Sequence, residues 1–373
     1  MPMSTSTAPA NGASTERDNR MVWEGRPGHY EVWYLTFSDR ASGAGFWLRY
    51  TIESPRPGDG EPYAQLWFSR FDERDPAGTF GVNKRFPIAS LNAVAEPFSV
   101  RIGDDAVLRH DGMRGAIRGA GHEIEWDLAW TPGRATYHHL PAMFYKLPVD
   151  TRVLSPNPDV AVSGAITVDG RRYEIQGAPG GQSHVWGRKH AYAWAWGHCN
   201  AFEGASNTFF ESISARLKRG QIILPTVTVF TLHQDGEEIA FREPWSLPLA
   251  RSDFQTGNYH LVGANADTRV EAQFSCSGDA TLLAEYLDPD GDPAFNHICC
   301  VADLTITVRK RSPFVGRWRD HRTLLSRGAA HLAGSSSPFS AFSSPDVPSS
   351  APSIAGRTIG SCISGRCRAR GAR

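Results

Sequence analysis

Long apolar runs are missing from this chain. No stretch of its 373 residues approaches the roughly 20 consecutive apolar residues that a membrane-spanning helix requires, and residues 1–20 lack the apolar centre of a secretory signal. An excess of charge is missing too. Lys plus Arg and Asp plus Glu stand at 39 each, so the chain carries no electrostatic footprint for nucleic acid or an anionic surface. The six cysteines, at 199, 276, 299, 300, 362 and 367, form neither a regular framework nor paired C-x-x-C sets. Disulfide staples and a structural zinc are therefore not expected, and the thiols are read as reduced. GxGxxG, Walker A, GxSxG and HExxH patterns are all absent, which leaves nucleotide binding, α/β-hydrolase chemistry and zincin-type hydrolysis without support. His138 with His139, or His184, His190 and His198, have spacings that fit no strong metal signature, so no metal and no cofactor is called for. The expectation is a soluble, cytoplasmic protein with no nucleic-acid partner and no integral membrane segment, transient membrane contact staying open.

What is abundant is turn formers and rings: 36 Gly, 25 Pro, 19 Phe, 11 Trp and 10 Tyr. Both favour β structure. Period-two alternation recurs, as in Ile124, Trp126, Leu128 and Trp130 against Glu123, Glu125 and Asp127, the pattern of a half-buried strand. Phe46, Leu48, Tyr50 and Ile52 against Trp47, Arg49, Thr51 and Glu53 repeat it, and so do Leu304, Ile306 and Val308 against Asp303, Thr305, Thr307 and Arg309. Asp169-Gly170 between two such runs signals a hairpin. Helical periodicity is scarce, and Ile88 to Val94 reads as a single turn or a lid across a barrel mouth.

A weak internal repeat organises these strands. Tyr30 to Phe37 followed by Phe46 to Ile52 resembles Trp194 to Phe202 followed by Phe209 to Leu217, a spacing of one whole domain. The organisation expected is a disordered segment 1–20, one β-barrel domain over 21–190, a second over 191–333, and a disordered Ser/Pro/Arg-rich tail over 334–373. The abrupt onset of that tail also suits a frameshifted or extended reading frame, a regulatory tail being the alternative.

Chemistry concentrates between residues 180 and 217. In an extended strand, Trp194, Trp196, His198, Asn200 and Phe202 share one face, while Ala195, Gly197, Cys199 and Ala201 share the other. Aromatic walls with a few orienting polar groups suit a ligand cavity, and the small residues opposite allow another layer to approach closely. A Trp-rich core with satisfied polar groups is the alternative reading. On the next strand Glu211 falls among Phe209, Ile213, Ala215 and Leu217, where desolvation would raise its pKa and suit it to general acid catalysis. A structural salt bridge is the alternative there. His184 shares an extended-chain face with Trp186 and is read as Glu211's catalytic partner or as a hydrogen-bonded structural histidine. The catalytic candidates are thus His184 and Glu211, and the substrate-binding candidates are Trp186, Trp194, Trp196, His198, Asn200, Phe202 and Phe209.

These segments carry a resemblance. Trp186-Gly187 followed by Trp194-x-Trp196-x-x-Cys199-Asn200-x-Phe202-Glu203-Gly204 resembles the tocopherol cyclase pattern. Ile166 to Gly187 resembles the carotenoid 1,2-hydratase (hydroxyneurosporene synthase) and AttH-like group, whose Asp-His-x-Trp-Gly motif corresponds to Ser183-His184-Val185-Trp186-Gly187 with Ser183 in place of the Asp. Phe46 to Ile52 is similar to the same group, so the resemblance spans about residues 21 to 333. It implies an all-β protein of two tandem antiparallel lipocalin-like barrels that binds a hydrophobic isoprenoid or polyene, and, in the enzymes, proton-initiated cyclisation or hydration of a double bond. Two further readings stay open, a non-catalytic carrier of a hydrophobic small molecule and an interaction module with filled barrels; Ser183 in place of the Asp favours the carrier.

Overall fold

The computed structural model describes residues 13–104, 106–146, 149–312, 316–337, 339, 357–363 and 366–368. Asp169 and Gly170 adopt φ of 51° and 79° and close the hairpin read from the sequence, with Val168 opposite Arg171. Two central residues with positive φ match the right-handed twist of the flanking strands, which is why a short polar residue and glycine stand there.

The chain forms two nearly closed, antiparallel, barrel-like sheets. The first uses β1 (His29–Asp39), β2 (Ala44–Ser54), β3 (Tyr63–Asp72), β4 (Phe80–Pro87), β5 (Leu91–Ala95), β6 (Phe98–Ile102), β7 (Ala106–Arg109), β8 (Gly112–Gly119), β9 (His122–Ala129), β10 (Tyr137–His138), β11 (Thr151–Val168) and β12 (Arg171–Gly187). Its order runs β4-β3-β2-β1-β12-β11-β9-β8-β7-β6-β5, with β10 on β11. The second uses β13 (Ala193–Cys199), β14 (Thr208–Arg216), then the small hairpin β15 (Lys218–Arg219) and β16 (Ile222–Ile223), which stands apart from it. It continues through β17 (Val227–Gln234), β18 (Glu237–Phe241), β19 (Ala250–Gln255), β20 (Asn258–Ala264), β21 (Thr268–Ser275), β22 (Leu282–Leu287), β23 (Pro293–Arg311) and β24 (Trp318–Ser335).

Alternation sends Trp33, Leu35, Phe46, Leu48, Ile124 and Trp126 into the first barrel, and Phe210, Phe230, Tyr259, Phe274 and Ile306 into the second. The face of β2 that reads as polar and outward departs from expectation. Trp47, Arg49, Thr51 and Glu53 are all buried, because the second barrel packs against the outside of the first there. At that joint Gly45 lies so close to β23 that a Cβ would come within 2.2 Å of the Cys300 carbonyl oxygen. Ser38 Oγ donates to the same carbonyl at 2.8 Å.

The cysteine reading is corrected. Cys276 and Cys299 form a disulfide, with Cα atoms 6.7 Å apart, while Cys199 and Cys300 are free and buried. The end of β21 and the start of β23 bring the pair together, a juxtaposition that sequence spacing does not reveal. Ile88 to Val94 divides into one short helical turn, Ile88–Ser90, and β5. Within the segment read as disordered at the N-terminus, residues 1–12 lie outside the described residues, and Ala13–Asp18 form a helical turn whose Glu16 accepts from the Phe98 N–H. Of the tail, Phe339 is buried against Phe254 and Ile359 packs over Gly81; most of the remainder lies outside the described residues. Among the described residues, no helix is long and apolar enough to cross a membrane.

Candidate active site

Where the outer faces of the two barrels meet, they enclose a cavity of about 410 Å³. Small-molecule sites span roughly 300–1,000 Å³. Strand alternation decides what lines it. Trp33 and Leu35 point into the first barrel, so Val32 and Tyr34 of β1 face the cavity, joined by Trp47 and Arg49 of β2. From the second barrel come Trp194 and Trp196 of β13 with Ile213 and Ala215 of β14. On the far face of β13, a Cβ on Gly197 would meet the Phe274 ring at 2.6 Å, so the small-residue face is where β13 packs on the second core. A wider groove of about 860 Å³ on the first barrel is lined by the charged side chains of Arg114, Glu125, Asp127, Arg172 and Glu174, all exposed and solvated.

Glu211, 1% exposed, lies behind the cavity lining, next to Trp196, which forms part of that lining. Its Oε2 accepts from Trp196 Nε1 at 3.1 Å and its Oε1 from Ser155 Oγ at 3.4 Å. Burial pushes the carboxyl up to about 8, against the opposing pull of these two hydrogen bonds. At neutral pH the carboxyl is protonated, and after losing its proton it would keep two donors.

Those donors belong to a longer network. Ser155 Oγ lies 2.9 Å from Ser183 Oγ, and Ser183 hydrogen-bonds Tyr34, whose ring meets Trp196 edge-on at 5.6 Å. Ser183, at the motif position of the Asp, is therefore linked to Glu211 through one hydroxyl. The carboxyl group that the motif position lacks is present in the same network on a strand of the other barrel.

His139, which sequence reasoning considered only as a weak metal ligand, completes the cluster. It lines the cavity, is 1% exposed, and its Nε2 sits 4.0 Å from Glu211 Oε2. Among the described residues neither ring nitrogen has a hydrogen-bond partner, and burial pushes the imidazole down to about 3, which leaves it neutral. Its signal in sequence is slight, since it lies just past the two-residue strand β10 with no periodic context.

The remaining candidates divide. Trp194 and Trp196 line the cavity. His184 does not meet Glu211: on β12, Ser183 and Val185 face the cavity side while His184 points into the first barrel. There its Nε2 lies 2.9 Å from Glu31 Oε1 and its Nδ1 2.8 Å from the Asp18 carbonyl oxygen, with Trp33 stacked on the ring and Trp186 tilted against it. Burial works against an ionised Glu31, but hydrogen bonds from His184, His29 and the Val22 N–H bring it down to about 2. Trp186 thus packs on His184 rather than lining the cavity. His198 is buried, donates from Nε2 to the Pro158 carbonyl at 3.0 Å, and stacks on Trp196. Asn200 donates to Asp159 and to the Val160 and Gly180 carbonyls, tying the barrels together. Phe202 belongs to the second core, and Phe209 stacks on His233 outside the cavity lining. Among the described residues, no cluster of His, Cys, Asp and Glu has metal-holding geometry.

Comparison with known proteins places this arrangement. Residues 157–334, which carry Ser183, Trp196 and Glu211, match the tocopherol cyclase-like family. An uncharacterised protein of Mycobacterium tuberculosis is 25% identical over 346 residues, covering 90% of this chain and 97% of its own length. A probable chloroplastic tocopherol cyclase of Oryza sativa subsp. japonica is 26% identical over 123 residues, 32% of this chain and 26% of the plant protein. The crystal structure of an AttH-like protein from Nitrosomonas europaea shares the fold, with a TM-score of 0.53 at 13% identity over 88% of this chain and 98% of that one.

Proposed function

We propose that the inter-barrel cavity binds a hydrophobic, isoprenoid or polyene-like molecule and that Glu211 protonates one of its double bonds, opening cyclisation or hydration. The observation that carries this reading is the desolvated carboxyl of Glu211 set just behind the lining of an aromatic, apolar cavity, hydrogen-bonded to Trp196 and 4.0 Å from His139, which both line it. Alkene protonation needs a neutral acid in a site that excludes water, and the carbocation that follows gains from the faces of rings such as Trp194, Trp196 and Tyr34. The Glu211 O–H bond breaks, a C–H bond forms, and the electron pair stays on a carboxylate held by Trp196 and Ser155. A hydroxyl or water then adds to the cation, its proton passing to His139 or back to Glu211.

The approach to the cavity suits such a ligand. Leu217 and Val227 line it, and between them in sequence β16 and the residue after it expose Ile222 (67%), Ile223 (46%) and Leu224 (38%), an apolar run suited to transient contact with a lipid surface. A carrier would use the same cavity without the acid, and the desolvated carboxyl favours the enzyme. Extraction of the purified protein and mass spectrometry of whatever copurifies tests the reading. An apolar unsaturated molecule, turned over by the wild type and about 10²- to 10⁴-fold more slowly by Glu211→Gln, supports it. Equal turnover by both proteins would place the acid elsewhere, and a molecule that is bound but never converted would make the protein a carrier.

A further inference from the structure

Arg49 is 3% exposed and lines the cavity, yet no carboxylate among the described residues lies within 4.0 Å of its guanidinium. Its side chain is held otherwise. Nε donates to Thr51 Oγ1 at 2.8 Å, and the guanidinium carbon lies 4.3 Å from the ring centre of Tyr286 and 5.3 Å from that of Trp67. The acid nearest along its strand face is Glu53, which burial pushes up to about 8, with Arg49 pulling the other way and Asp288 adding to the rise. At neutral pH Glu53 therefore carries no charge to offset the arginine. Asp288, the other acid at this end, points its carboxylate at His190, which bonds it through both its backbone N–H and its Nδ1, and makes no ion pair with Arg49. A buried guanidinium with no carboxylate in contact is expensive to keep, and proteins hold one where a partner supplies the contact.

Register shows where that partner would lie. Arg49 stands opposite Tyr34 on the neighbouring strand, and Tyr34 stands opposite Ser183 on the next, so Arg49, Tyr34 and Ser183 form one row across β2, β1 and β12. Ser183 is the residue linked through Ser155 to Glu211. Arg49 and Ser183 are two strand spacings apart, about 10 Å.

We infer that Arg49 is the anchor for a carboxylate on the substrate, so that the molecule taken up is an apolar unsaturated acid whose carboxylate is gripped by the guanidinium while its reacting double bond lies roughly 10 Å away, beside Glu211. The planar fork of arginine matches a carboxylate with two parallel N–H···O bonds, and the row of strands fixes which part of the chain reaches the acid. This deepens the reading of the cavity as a substrate site and rests on it.

The test uses the full-length protein and two probes that differ only at the head group, all-trans-retinoic acid and its methyl ester, with binding followed by quenching of tryptophan fluorescence at neutral pH. Wild type is expected to bind the acid about tenfold or more tightly than the ester. Arg49→Met is expected to lose that preference while its affinity for the ester changes less than about threefold, ester binding itself reporting an intact cavity. Arg49→Gln serves the same purpose if the methionine variant fails to fold. Wild type binding both probes equally, or Arg49→Met keeping the preference, overturns the anchor and leaves the cavity reading standing. If wild type binds neither probe, both fall.

Discussion

Trp196 and Glu211 sit diagonally across the β13–β14 pair, and the indole Nε1–H donates to the carboxyl at 3.1 Å. One tryptophan thereby serves as cavity wall, as cover that keeps water from the acid, and as donor to the carboxylate left behind. Trp126 and Trp196 should therefore respond differently to truncation. Trp126 packs in the first core, and Trp126→Ala should cost about 3–5 kcal/mol of stability with ligand affinity little changed. Trp196→Ala should weaken ligand binding more than it weakens the fold. Thermal unfolding and a binding titration on both variants check this, and equal unfolding of both would make Trp196 a core residue.

The raised pKa of Glu211 makes stability depend on pH. The buried carboxyl holds its proton up to about 8, whereas an exposed glutamate releases it at 4.5. The native state therefore binds more protons than the unfolded state between those values. The contribution is fully present below 4.5 and is lost as pH rises toward 8, by at most about 1.4 kcal/mol per pH unit. Denaturant unfolding of wild type and Glu211→Gln across this window should show the wild type losing stability relative to the variant as pH rises from 4.5 to about 8, and no further beyond it. Parallel curves would mean that Glu211 is ionised throughout.

His184 belongs to the frame of the first barrel. Both its ring nitrogens face oxygens, the Asp18 carbonyl and the Glu31 carboxylate, and removing it leaves Glu31 buried and short of a partner. His184→Asn should cost about 3–5 kcal/mol at neutral pH while ligand affinity holds. Because Glu31 is depressed from 4.5 to about 2, its contribution is present above 4.5 and fades as pH falls toward 2. Urea melts at neutral and acidic pH check both statements; a loss of turnover without loss of stability would return His184 to the catalytic list.

The Cys276–Cys299 disulfide closes a short loop, with a sequence separation of 23. Cys276→Ser, or reduction of the wild type, should lower stability by about 3 kcal/mol, measured by chemical denaturation with and without reductant. No change on reduction would show that the bridge constrains the unfolded chain little.

How far the sequence reaches follows from what alternation can encode. Glu211 is legible because one carboxyl interrupts an apolar strand face, and the interior of β9 is legible because Ile124, Trp126 and Leu128 alternate with charge. Arg49 is not. On the same arithmetic its strand face reads as polar and outward, and only the second barrel packing over that face buries it. His139 escapes because a loop residue has no period, and His184 is misplaced because sharing a face with Trp186 does not say which side of the sheet that face is on. Ser183 gains its place in the site only from Ser155 and Tyr34, which are 28 and 149 residues away in sequence.

The account turns on Glu211 being a protonated acid at neutral pH. Difference infrared spectroscopy of wild type against Glu211→Gln, titrated from about pH 5 to about pH 10, reads that protonation state without any substrate. The account predicts a protonated-carboxyl band that is present at neutral pH and disappears with a midpoint near 8. A carboxylate band already complete at pH 6, with no protonated carboxyl attributable to Glu211, would contradict it.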